Sequence, residues 1–192
     1  MNILEKHNEP IELIRFIQSS MDKIGRSFFK VVTCGGMQPI ARERVYCYEL
    51  YHQMRCIQNQ YPTLSNYILH AEIDKSGHPL IEKKINPDMV IHFPGTMDNL
   101  AVIEIKSVKR IDCIIKDFKT LNYMLDSPEY KYGVFISTGF SLKELPDSNI
   151  NKIYDSIPHL NKFDDKIYIF SQKKYREQIE CYKLCDIVKS TD

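Results

Sequence analysis

The chain has 192 residues, a length that suits one compact domain whose core needs no staple. It is 43% hydrophobic and 27% charged with a formal net charge of +1, so no global field draws it to nucleic acid, and any attraction to phosphate must be local. No apolar run approaches the ~18 residues of a membrane span. The opening MNILEKHNEPIELIRF has neither a basic n-region nor a long apolar h-region, so a soluble, cytoplasmic protein with no membrane partner is expected.

In chain order, Pro10 opens a helix over residues 10 to 24, with Ile14, Ile17, Met21 and Ile24 on one stripe. The pair Gly35-Gly36 and Pro39 mark a loop after a short strand, Phe28 to Thr33. A helix follows from Ala41 to about Ile57, with Pro62 just beyond it. The period then changes. Tyr67 to Ile73 reads as a strand and Asp74 to Pro79 as a turn. Asp88 to Phe93 is a second strand, ended by Pro94-Gly95, and Leu100 to Val108 is a third after the turn Thr96 to Asn99. Residues 111 to 125 place Ile114, Ile115, Phe118, Leu121, Met124 and Leu125 at helical spacing. Tyr132 to Ser137 is a fourth strand. A polar helix around residues 141 to 156, a strand from Lys166 to Phe170 and a last helix from about Gln172 close the chain. With no internal repeat or Gly/Ser linker, residues 1–192 read as a single α/β domain. Three hairpin-joined strands and a helical crossover to a fourth predict a mixed central sheet flanked by helices.

The six cysteines, Cys34, Cys47, Cys56, Cys113, Cys181 and Cys185, show no disulfide spacing, and a reduced chain is the better reading. Cys181 and Cys185 could share a helical face, but two thiols do not make a zinc site. His70 and His92 read as half-buried strand imidazoles and His52 as helix surface. The fragment CGGM lacks the Lys-Ser/Thr of a phosphate loop and reads as a turn. From Lys106 to Lys119 the chain holds Lys106, Lys109, Arg110, Lys116 and Lys119 against Asp112 and Asp117, a modest basic surplus that a solvated helix face also explains.

The stretch NPDMVIHFPGTMDNLAVIEIKSVK carries the strongest chemical signal. Glu104 and Lys106 sit in an otherwise apolar strand, and charged side chains are rarely buried unless paired or bound to a metal. Strand alternation puts both on one face, with Ile103 and Ile105 on the other. The short turn brings Asp88 back antiparallel, so Asp88 and Glu104 can converge at one end of the sheet. Two close carboxylates raise each other's pKa unless a cation lies between them. Mg²⁺, with Mn²⁺ as a substitute, suits this set, and the backbone carbonyl of Ile105 offers a further oxygen ligand. Lys106 would then lie where an ammonium orients attacking water and offsets charge on a phosphoryl transition state. The plain alternative, a structural Glu104–lysine ion pair, leaves Asp88 and the apolar flanks unexplained.

Pro87-Asp88, fifteen residues, then Glu104-Ile105-Lys106 resembles the PD-(D/E)XK signature of the restriction-endonuclease-like nuclease superfamily. The predicted order over about residues 41–137 is similar to that family's αβββαβ core. The resemblance implies a Mg²⁺-dependent phosphodiesterase acting on nucleic acid, DNA above RNA, with Asp88 and Glu104 holding metal and Lys106 serving the nucleophilic water. It implies products with 5′-phosphate ends, and assembly as a homodimer or within a larger complex. The family often draws one more carboxylate from the helix before the strands. Glu43 extends the stripe Tyr46, Leu50, Met54 and Ile57 by one turn and is the favoured candidate; Glu49 and Glu72 stay open. The competing expectation is a catalytically silent member of the fold that binds nucleic acid or a protein partner, for example in a defence or repair complex.

Overall fold

The computed structural model describes residues 3–36, 38–72 and 85–188. Helix α1 (Ile3–Asp22) is followed by a single turn, α2 (Arg26–Phe29), and by α3 (Glu43–Ile57). Three strands come next: β1 (Ile68–Ala71), β2 (Met89–His92) and β3 (Asn99–Lys106). Helix α4 (Ile111–Asp126) then leads to β4 (Tyr132–Thr138), and α5 (Asp147–Asp155) to β5 (Ile167–Gln172). Strand β6 (Glu180–Lys183) and the short α6 (Cys185–Val188) end the described chain. All six strands form one sheet in the order β1-β2-β3-β4-β5-β6. The β1/β2, β2/β3 and β5/β6 pairs are antiparallel, while β3/β4 and β4/β5 are parallel. The architecture is thus α/β, a mixed open sheet flanked by helices.

Strand β3 lies in the middle of this sheet and is buried along almost its whole length, which is why its sequence is a continuous apolar run. Its two faces meet different layers. Ala101, Ile103 and Ile105 pack with Leu13, Phe16 and Ile17 of α1 and Tyr46, Leu50 and Met54 of α3. Val102 on the other face joins Ile114, Phe118 and Leu121 of α4 and Ile150 and Ile153 of α5. Gly133 of β4 lets α4 come close: a Cβ there would stand 3.1 Å from Ile167 Cγ1 and 3.3 Å from Leu125 Cδ1. Among the described residues no helix is long and apolar enough to cross a membrane.

Several sequence expectations need correction. Pro10 lies inside α1, which begins earlier than the expected helix and buries Leu13 and Phe16 rather than leading with Ile14. The expected strand Phe28 to Thr33 is replaced by α2 and a lone antiparallel bridge between Val31 and Ile40. The polar helix near residues 141–156 is broken at Pro146 into a 3-10 turn, Leu142–Glu144, and α5, because proline offers no amide to carry the first turn forward. The last helix from Gln172 is instead the end of β5, a loop and β6, so Cys181 lies on a strand and Cys185 at the start of α6. No disulfide joins any of the six cysteines, which all lie among the described residues. Asp88 immediately precedes β2 rather than opening it. Ile73 and the expected turn Asp74 to Pro79 lie outside the described residues.

Candidate active site

The C-terminal end of β3 carries the charged residues singled out from the sequence. Val102, Glu104 and Lys106 share the face of β3 that meets α4, and the antiparallel register of β2 sets Met89 opposite Ile103. Asp88, one residue before β2, is thereby brought beside Glu104 and Ile105. Its Oδ2 accepts a hydrogen bond from the Ile105 amide at 2.7 Å. Since the N–H and C=O of one strand residue project toward the same neighbour, the Ile105 carbonyl faces the Asp88 side as well. Glu104 is buried, with 6% of its surface exposed, and its carboxyl is hydrogen-bonded to that of Asp88.

Two helices complete the cluster from opposite faces of the sheet. Glu43, the first residue of α3, places Oε1 3.1 Å from Lys106 Nζ, and its Oε2 accepts from the Ser107 amide at 2.9 Å. Asp117 of α4 places Oδ2 at 3.1 Å from the same ammonium, without the alignment of a hydrogen bond. Only 5% of Asp117 is exposed, so a buried carboxylate oxygen keeps unused hydrogen-bonding capacity inside the cluster.

The electrostatics follow from this crowding. Burial raises the Glu104 carboxyl far above the ordinary range, and the charges of Asp88 and Asp117 push it further, so Glu104 holds the proton it shares with Asp88. Asp88 is raised too, chiefly by burial, although the Ile105 amide works against the rise. Asp117 is pushed up to about 6 by burial, with Lys106 as the opposing influence. Burial disfavours the Lys106 ammonium, but Asp117 and Glu43 outweigh it and the pKa rises, so Lys106 stays charged. Glu43, Asp88, Glu104 and Asp117 thus surround a single ammonium.

That imbalance is what a divalent cation would relieve. The donors are carboxylate and carbonyl oxygens, the type Mg²⁺ and Mn²⁺ prefer. Among the described residues, no three His, Cys, Asp or Glu side chains are preset to hold a metal ion. Mg²⁺ asks for less, usually one or two carboxylates with waters and substrate oxygens making up the rest. Asp88, Glu104 and the Ile105 carbonyl therefore fit such a cation.

The other candidates fall elsewhere. Glu49 accepts a hydrogen bond from Gln53 at 2.7 Å on its own helix. Glu72 pairs with Arg44 at 3.3 Å and accepts from the Tyr48 hydroxyl, although its amide donates to the Asp88 carbonyl at 2.9 Å. His52 is exposed. His70 Nδ1 and His92 Nε2 meet at 2.9 Å on β1 and β2. In the sequence Asp117 reads as an acid of a solvated helix face. Its signal was readable: it stands three residues after Ile114 and four before Leu121, inside the buried stripe of α4.

The cluster forms the inner end of a cleft of about 930 Å³. From there the cleft runs along α4, past Lys116, Lys119, Asn122 and Tyr123, to the loop Ser156–His159. Set against models of known families, curated proteins and solved structures, the chain finds no match in any of the three, so the meaning of this cleft rests on its own geometry.

Proposed function

We propose that this chain is a metal-dependent nuclease of the PD-(D/E)XK, restriction-endonuclease-like kind, hydrolysing phosphodiester bonds in DNA. The observation that carries the reading is the meeting of Asp88, Glu104 and Lys106 with Glu43 at the end of one buried strand. The order α3, three antiparallel strands, α4 and a parallel strand supports it further. Asp88, Glu104 and the Ile105 carbonyl would hold Mg²⁺ or Mn²⁺. A cation there supplies positive charge that offsets the charge on a phosphoryl group and makes water easier to deprotonate.

The chain's own residues do the rest. Lys106, kept protonated by Glu43 and Asp117, points a permanent positive charge into the cleft, where it orients water by hydrogen bonding and offsets negative charge in the transition state. Glu43 braces that ammonium from α3 while the Ser107 amide fixes its second oxygen. In-line attack would leave a 5′-phosphate on the product.

The test is incubation of supercoiled and linear DNA with Mg²⁺, with Mn²⁺ and with EDTA. Cleavage that needs the cation and disappears in Asp88→Ala is the expected result. Cleavage unaffected by EDTA, or none under any condition, overturns it. A silent nuclease-fold subunit that binds nucleic acid or a protein partner is the second reading. The observation in its favour is that Lys106 is already engaged by two carboxylates; DNA binding without cleavage in the same assay would select it.

A further inference from the structure

The outer part of the cleft is not used by the hydrolytic cluster. At 100° per residue, Lys116, Lys119, Thr120 and Tyr123 fall within an arc of about 100° on α4, facing away from the stripe that packs on the sheet. From Lys116 to Asp126 this wall is about 15 Å long, at 1.5 Å per residue. The facing wall is Ser156 to His159, where His159 adopts a left-handed backbone with φ of 62°. Ile157 and Leu160 anchor that loop in the core, and Asn122 Nδ2 ties α4 to it by donating to the Pro158 carbonyl at 3.2 Å. The groove is therefore held open by packing on both sides.

The rim bears on the occupant. Lys116 and Lys119 are exposed cations there, one turn apart, beside an aromatic ring and a hydroxyl. Cations that follow a backbone and an aromatic face are the elements with which proteins hold single-stranded nucleic acid. A cleft of about 930 Å³ is of the size that takes one drug-sized ligand, which is room for a few nucleotides of one strand.

We infer that the groove along α4 receives a few nucleotides of single-stranded DNA, an end or flap, with Lys116 and Lys119 on its phosphates and Tyr123 on a base. This rests on the nuclease reading of the adjoining cluster and names its substrate form. A strand lying there leads directly to Lys106 and Asp117. Duplex DNA would be cut only where it frays or carries an unpaired end.

The experiment compares three end-labelled substrates in Mg²⁺: a single-stranded 20-mer, the blunt duplex and the same duplex with an unpaired flap. Each is assayed with the wild-type chain, Lys116→Ala/Lys119→Ala and the distant control Lys23→Ala. Single strand and flap should be cut at least 10-fold faster than the blunt duplex. The double lysine variant should raise KM at least 10-fold with little change in kcat, and should reduce the salt dependence of binding by about two phosphate contacts. Lys23→Ala should match wild type. Equal cleavage of the blunt duplex, or an unchanged KM in the lysine variant, overturns the inference while the nuclease reading stands. If no substrate is cut, the nuclease reading fails and fluorescence anisotropy decides the groove. Tighter binding of the single strand than of the duplex, lost in the lysine variant, supports it; equal binding of the two overturns it.

Discussion

Two lysines in this protein sit between carboxylates, near the two ends of β3. Lys131, just before β4, lies 3.1 Å from Glu9 of α1 and 3.1 Å from Asp98, and its ammonium donates to the Tyr67 hydroxyl, which itself donates to Asp98. Lys106 lies between Glu43 and Asp117 with Asp88 and Glu104 behind them. The local geometry is nearly the same, but the number and burial of the acids differ. Around Lys131 two carboxylates face the ammonium, Asp98 is half-exposed to water, and the hydrogen-bonded network ties the first helix to the sheet. Around Lys106 four carboxyl groups crowd one ammonium, and Glu104 and Asp117 among them are buried. A lightly crowded, partly solvated network holds a fold together; a buried excess of acids stores a demand for positive charge that a ligand can meet.

The sharpest way to break the contrast is to remove each lysine. Lys106→Ala should lower DNA cleavage by about 10²-fold or more, measured under Mg²⁺, with the chain still folded by circular dichroism. Lys131→Ala should leave the cleavage chemistry intact but destabilise the fold by about 1–3 kcal/mol, because Glu9 stays buried without its cation. Wild-type cleavage by the first variant would remove Lys106 from the mechanism.

Neutralising an acid should have opposite signs at the two sites. Glu104→Gln removes the cost of keeping a buried carboxyl protonated at pH 7.5, so it should raise the thermal midpoint of the metal-free protein at that pH while abolishing cleavage, a trade often seen when an active site is simplified. Asp98→Asn removes a partner of Lys131 and should lower the midpoint with cleavage retained. If Glu104→Gln destabilises as Asp98→Asn does, the cluster is structural.

pH separates the sites next. Asp117 is held at about 6 when folded, above its ordinary 3.8. The native state therefore binds that proton more tightly than the unfolded chain. The resulting stability is full below about pH 4 and is lost as pH rises to about 6, by on the order of 1–3 kcal/mol. Glu104, raised further, extends the loss to higher pH. The thermal midpoint should fall between pH 5 and 7.5, and Mg²⁺ should restore it at pH 7.5 more than at pH 5. A Glu104→Gln/Asp117→Asn double variant should show neither effect by differential scanning fluorimetry.

The smallest expected change is Tyr67→Phe, which removes one hydroxyl from the Lys131 network. It should cost about 1 kcal/mol in chemical denaturation and leave cleavage rates unchanged.

Local patterning was enough to read much of this molecule. The buried runs of β3 and β4, the stripes of α3 and α4, and the placing of Glu104 and Lys106 on one face follow from periods of 2.0 and 3.6 that need no tertiary information. The same period put Glu43 in line with the buried face of α3, and Glu43 does meet Lys106. What the sequence could not decide was settled by pairing between distant segments. Strand β6 is a half-buried edge, Glu180 to Lys183, that becomes a strand because β5 offers it an open ladder; by itself the stretch after Gln172 looks helical. Pro10 is accommodated within α1 where α1 packs against α3 and the sheet, so tertiary packing overrode a local start signal. Asp117 showed its apolar surroundings in the sequence, but only the crossover from β3 through α4 brings it to Lys106. The crowding of acids at that point, and with it the difference between the site and the two-acid network at Lys131, exists only in three dimensions, because Coulomb energy depends on distances in space and not along the chain.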